Sequence, residues 1–232
     1  MKQFIKTATI LIIISMIAFK LKAQTSDTIR HEVVFVTDKG NIHISLYNET
    51  PLHRDNFLKL IEDGFYNGLL FHRVISGFMI QTGDSASRNA KPNELLGNSK
   101  ESKSIPAEIK FPKFFHKRGA VAAARESDEV NPERNSSESQ FYIVYGRKFN
   151  DEMLSKVKQR INKQTNGSIE LPPELCDVYK KLGGTPHLDG QYTVFGEVTE
   201  GMDVVNSIQL AETDEHNRPK KDIKIIKAYI VK

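Results

Sequence analysis

Phe71-His72-Arg73-Val74-Ile75-Ser76-Gly77-Phe78-Met79-Ile80-Gln81-Thr82-Gly83-Asp84 is the densest run of informative residues in this 232-residue chain. From Leu69 to Gln81 the chain is strongly apolar and Gly77 interrupts it, which predicts two short strands joined by a bend. A single fixed cation, Arg73, lies among Phe71, Phe78 and Met79. Strand alternation places Met79 and Gln81 on one face and Phe78 and Ile80 on the other, unless the bend re-aims them.

Upstream, His31 to Tyr47 reads as a hairpin: a Val33–Val36 run, an Asp38-Lys39-Gly40 turn, then Ile42, Ile44 and Leu46 alternating with polar residues. Pro51 to Gly64 carries apolar Phe57, Leu58, Leu60 and Ile61 at the spacing of an amphipathic helix. Downstream, residues 82–104 are rich in Gly, Ser, Asn and Lys and predict a long surface loop. Gly119 to Ala124 and Gln140 to Tyr145 predict strands, with polar loop between them.

Residues 147–186 look like an insertion with its own helices. Asn150 can cap a helix with Met153, Leu154, Val157 and Ile161 on one face. Leu175, Val178, Tyr179 and Leu182 stripe a second helix, which Gly183 closes. Tyr192–Val198 and Asp222–Val231 read as strands flanking a short helix at Met202–Ile208. Many short strands with few helices predict a mainly β protein, an antiparallel barrel or sandwich, with no internal repeat and no second domain.

The first 23 residues read as a secretory signal peptide: Lys2 and Lys6, an apolar run from Thr7 to Phe19, and Ala23 as a small residue for cleavage. The run is short for a bilayer span, though an uncleaved anchor stays open. The mature chain is then residues 24–232, exported to a periplasm or cell envelope or secreted, with no membrane attachment once the leader is removed. The full chain has a formal charge of +4. Without the leader's four lysines, 33 basic residues less 4 leaves 29 against 29 acidic, so no nucleic-acid partner is expected. Cys176 is alone and can form no internal disulfide; its place in an apolar helical pattern predicts a buried thiol. There is no G-x-S-x-G, P-loop, HExxH or zinc-spaced Cys/His cluster. These absences point to a reaction that needs no proton transfer, metal or covalent intermediate, and the sequence implies no cofactor.

Two further dense stretches lie downstream: Ser139-Gln140-Phe141-Tyr142-Ile143, and Leu188-Asp189-Gly190-Gln191-Tyr192-Thr193-Val194-Phe195-Gly196. With residues 71–84 they stand in the order of the FHRV-GFM-Q-GD, SQF-I and LDG---FG patterns of the cyclophilins. Asn56-Phe57, Glu108, His116, Gly119 and Gly201–Val205 add supporting matches. The sequence therefore resembles the cyclophilin family of peptidyl-prolyl isomerases over roughly residues 31–146 and 187–231. The resemblance implies a closed eight-stranded antiparallel barrel capped by two helices, a groove on its outer surface, and a monomer acting on proline-containing segments of folding proteins. It makes Arg73 the catalytic arginine, with Gln81 beside it in the catalytic set to hold the guanidinium or a substrate carbonyl in place, and Phe78, Met79, Tyr142 and Leu188 the proline pocket. Gln81 and Gln140 would hold the peptide backbone, and Ala124 and Arg125 would flank the residue before proline.

Four positions depart from the family pattern. His187 stands where Trp is common, leaving a smaller, more polar rim. Tyr142 replaces Phe and adds a hydroxyl that needs a partner. Tyr192 replaces His. Arg125 replaces Asn, and its charge should favour acidic or polar residues before proline. The insertion ends directly at His187, so its helices are either a wall or docking surface for particular client proteins beside the groove, or an embellishment packed on the barrel's flank. A non-catalytic module using the same groove, and a structural envelope component, are the rival readings that turnover separates.

Overall fold

The computed structural model describes residues 29–99 and 103–231; the leader read at residues 1–23 lies outside the described residues. Strands β1 (Glu32–Thr37) and β2 (Gly40–Leu46) form the expected hairpin, with Thr37 opposite Gly40. Helix α1 (Pro51–Glu62) comes next, burying His53, Phe57 and Ile61 at steps of four. Its own Thr50 makes no side-chain cap. Instead the Glu108 carboxylate, far along the chain, accepts the Leu52 and His53 backbone N–H groups at 3.2 and 3.0 Å. A carboxylate at a helix N-terminus satisfies orphaned donors and meets the positive end of the dipole.

The remaining strands are β3 (Arg73–Ile75), β4 (Met79–Thr82), β5 (Ser104–Ile105), β6 (Ala120–Ala123), β7 (Ser136–Ser137), β8 (Phe141–Val144), β9 (Val194–Glu200) and β10 (Ile225–Ile230). Eight form one antiparallel sheet in the order β10-β1-β2-β9-β6-β8-β4-β3, while β5 and β7 pair separately. The expected closed barrel is corrected here to a curled, open one. No ladder joins β3 to β10, because the outer edge of β3 is taken by a turn: the Val74 N–H donates to the Asn217 carbonyl at 2.8 Å. Ahead of β3, the seam is only laced, by Gly68 to Ile225, Ile225 to Leu69 and Phe71 to Ile223 backbone bonds of 2.7–2.9 Å.

Strand alternation divides the apolar residues into two layers. Ile80, Val121, Ala123, Phe141, Ile143 and Phe195 face inward and join Phe35, Phe57 and Tyr66 in the main core. Met79, Ala120, Ala122, Tyr142, Val144 and Val194 face outward into a second buried cluster. Both faces of β6 and β8 are therefore covered, which is why those strands read as continuous apolar runs. Helix α4 (Met202–Gln209) buries Val205 and Ile208 in the same inner core as α1. These are the two barrel helices the resemblance implied.

The insertion contains α2 (Asp151–Gln164) and α3 (Pro173–Lys181). Asn150 caps α2 as expected, its Oδ1 accepting the Met153 N–H at 2.9 Å. Leu154, Leu171, Leu175, Cys176 and Tyr179 form a small core with Phe115 and Phe149, and the thiol is buried as read from the sequence. Leu182 departs from its expected stripe: α3 stops at Lys181, the chain turns at Gly183, and Leu182 is left 44% exposed. The insertion is sewn to the barrel at Gly184, which bridges both Lys117 and Arg147. A Cβ there would sit 2.3 Å from the His116 carbonyl, so only glycine permits this approach.

Candidate active site

Arg73 on β3 lies directly across from Gln81 on β4, so the strand pairing itself brings the two side chains together. Arg73 Nη1 donates to Gln81 Oε1 at 3.1 Å. Gln81 Nε2 donates to Gln140 Oε1 at 3.1 Å, and Gln140 Nε2 donates to the Gly97 carbonyl at 3.1 Å. This relay fixes the orientation of each amide and holds the guanidinium from behind. Burial lowers the Arg73 pKa from its ordinary value, and a guanidinium still keeps its proton.

In front of Arg73 lies a cavity of about 360 Å³. Phe78, Met79, Tyr142 and Leu188 give it an apolar floor and wall; Ala124, Arg125 and Tyr192 form its far side. The bend does re-aim Phe78, against simple alternation. Gly77 has φ of +69°, which places Phe78 in the turn before β4 and turns its ring into the same cavity as Met79. Gln140 is buried behind Gln81, so the structure places it as a support for Gln81 rather than on the cavity lining.

The Tyr142 hydroxyl has the partner it needs. It lies 3.0 Å from Nε2 of buried His116, whose Nδ1 is 3.0 Å from Asp189 Oδ1. Asp189, with no exposed surface, also accepts the His116 backbone N–H at 2.8 Å and the Tyr179 hydroxyl at 2.6 Å. Nδ1–H donating to Asp189 and the Tyr142 hydroxyl donating to Nε2 satisfies every atom in the chain. Burial raises the pKa of Tyr142 well above the ordinary phenol value, so the hydroxyl stays protonated. Asp189 is thus the hub joining the insertion's Tyr179 to the pocket floor.

Arg125 does not offer its charge to a substrate. Its guanidinium pairs with Asp128 at 2.6 Å, donates to the Gln191 carbonyl at 2.9 Å and stacks 4.5 Å above the Tyr192 ring. The ion pair removes the basis for an acidic preference before proline. His187 stacks on Phe78 with centroids 5.5 Å apart. Burial, then the charges of Arg160, His116 and Arg147, hold it down to about 4, so it is neutral at neutral pH.

Several lining residues escaped the sequence reading: Leu96, Gly97, Asn98, His216 and, on the wall beside Arg73, His72. Asp84 brings the first three there. Its buried carboxylate accepts the Gly97 N–H and the Ser99 hydroxyl, folding the polar loop back onto the groove. Burial pushes His72 down to about 4. Gln140 lies near enough to oppose that slightly, yet no hydrogen bond of proper geometry reaches either ring nitrogen. Among the described residues, no group of three or more His, Cys, Asp or Glu is placed to hold a metal, and no helix is long and apolar enough to cross a membrane.

A curled antiparallel sheet with a peptide-sized groove on its outside, an anchored cation and an apolar slot is the class these observations define. The profile of the family described as cyclophilin type peptidyl-prolyl cis-trans isomerase/CLD matches residues 32–230, a span that includes the insertion. A Staphylococcus aureus (strain COL) protein whose name assigns it to the peptidyl-prolyl cis-trans isomerases is 32% identical over 196 residues, covering 84% of this chain and 88% of that protein. A Staphylococcus saprophyticus protein named in the same way is 31% identical over 202 residues, covering 86% and 91%. Among solved structures, a Cryptosporidium parvum cyclophilin-type isomerase superposes with a TM-score of 0.62 at 22% identity, over 88% of this chain and 99% of that one. The same protein in the presence of the dipeptide Ala-Pro gives 0.60 at 23% identity, over 87% and 99%. This chain belongs to the cyclophilin-type peptidyl-prolyl cis-trans isomerases, and it is an isomerase enzyme.

Proposed function

We propose that the groove twists X-Pro amides in segments of folding exported proteins, with Arg73 as the catalytic residue. The observation carrying this is one cavity that holds both a guanidinium fixed by Gln81 and an apolar slot of Phe78, Met79, Tyr142 and Leu188. Rotation about an amide faces a barrier of about 18–20 kcal/mol because the C–N bond has double-bond character, and X-Pro bonds exchange over tens to hundreds of seconds unaided. In the twisted transition state the proline nitrogen turns pyramidal and gains a localised lone pair. Arg73 donates to that lone pair without surrendering its proton, an interaction absent from the planar ground state. The slot holds the ring while the acyl side turns.

Beside the slot, the Arg125 backbone N–H and carbonyl have no hydrogen-bond partner among the described residues. They would pair with the substrate's main chain at the residue before proline, next to Ala124. Tyr192 lines the far side of the slot, while His187 stacks on Phe78 from the neighbouring cavity. The apolar run and lysines of residues 1–23 support work outside the cytoplasmic membrane.

A proline-isomer exchange assay on a short peptide tests this reading. Arg73→Ala should lose about 100-fold or more in kcat/KM, the scale of removing one transition-state donor, with an unchanged circular dichroism spectrum. Equal turnover by the variant would overturn the assignment.

A further inference from the structure

Phe78 and His187 form a partition, because Phe78 lines a second cavity as well as the first. This second cavity, about 530 Å³, is the larger of the two and is built chiefly by the insertion. Its volume lies in the range of ligand-binding clefts. Phe149, Met153 and Val157 supply an apolar side, and Arg147, Lys156 and Arg160 supply charge. No carboxylate lines it. Lys156 is engaged with Glu152 at 2.6 Å on the exposed face of α2. Among the described residues, neither the Arg147 nor the Arg160 guanidinium has a carboxylate partner. Both lie close enough to His187 to act on its imidazole.

We propose that this cavity is a second subsite, which receives an acidic side chain from the substrate on the C-terminal side of its proline. The inference rests on the proposed use of the first cavity. There the residue before proline lies by Ala124 and Arg125, so the chain leaving the ring crosses Phe78 and enters the second cavity. Two guanidiniums without local counter-ions, beside an apolar wall, recognise a carboxylate by charge and by planar hydrogen bonding. The insertion thereby adds selectivity for the residues C-terminal to proline, while the barrel handles the proline itself.

The test uses the purified protein and blocked peptides Ala-Ala-Pro-Ala-Xaa-Xaa with Xaa as Glu or Lys, alongside Ala-Ala-Pro-Ala. Isomer exchange is measured by NMR and binding by fluorescence anisotropy. The Glu peptide should exceed the Lys peptide roughly fivefold in kcat/KM, the scale of a screened ion pair, and the ratio should shrink as salt is raised. In Arg147→Gln/Arg160→Gln the ratio should fall to one while exchange of the short peptide is kept. Equal handling of both charged peptides by the unmodified protein, or a preference that survives the double variant, overturns the subsite. If the short peptide itself is not exchanged, the isomerase role of the first cavity fails instead. The anisotropy ratio of the Glu and Lys peptides then still decides the subsite.

Discussion

Phe141 and Tyr142 are neighbours on β8, yet they live in different chemistries. Phe141 points inward, where Phe35, Phe57 and Tyr66 surround it at centroid distances of 5.0–5.5 Å, two of the three edge-on. Tyr142 points outward, onto a floor that is apolar toward the groove and hydrogen-bonded behind. The inner face holds the fold by area and ring geometry. The outer face holds a shape by a few directional bonds. Damage to the first should therefore register as lost stability, and damage to the second as altered function.

The comparison can be broken at several points. Phe141→Ala should cost about 3–5 kcal/mol of stability, the range for emptying a buried aromatic site, measured by urea denaturation. Turnover per folded molecule should persist; if activity vanished while stability held, the division between faces would be wrong. Acid should act on the outer side. His72 and His187 are both held near 4 against an ordinary 6.5, so the unfolded chain takes up protons that the folded protein refuses. Stability from these groups is present above about pH 6.5 and is lost as pH falls toward 4. The loss should be on the order of 2–3 kcal/mol in total, after discount for partial exposure. Denaturation midpoints that stay flat between pH 7 and 4.5 would contradict this. The smallest effect belongs to Tyr142→Phe. Losing its hydroxyl strands His116 Nε2 and should cost about 1–2 kcal/mol, while the proline slot keeps its apolar floor and most of its turnover. A large fall in kcat with unchanged stability would give that hydroxyl a more direct role.

The same division governs how much of the molecule was legible in its sequence. The apolar run and its break at Gly77 were enough for β3 and β4, whereas the register that sets Arg73 opposite Gln81 emerges only in their pairing. The Asn150 cap was legible because the residue and its acceptor bond lie three positions apart. The open seam was not, since it depends on Asn217 reaching Val74 from a distant turn. Leu96, Gly97 and Asn98 carried no periodic signal either. They reach the groove through the buried Asp84 carboxylate, which the sequence showed only as an acid next to glycine. Arg125 misled for a related reason: Asp128, three residues on, cancels the charge that its identity advertises.

Asp189 sets a condition on anyone re-engineering this enzyme. One of its oxygens holds Tyr179 of the added helices, and the other holds the imidazole that backs Tyr142 on the cavity floor. Trimming residues 150–184 to reach a minimal barrel would leave a carboxylate in the interior short of a donor, directly behind the slot. A graft of this segment onto a plainer relative would have to bring the tyrosine, the acid and the histidine as a set.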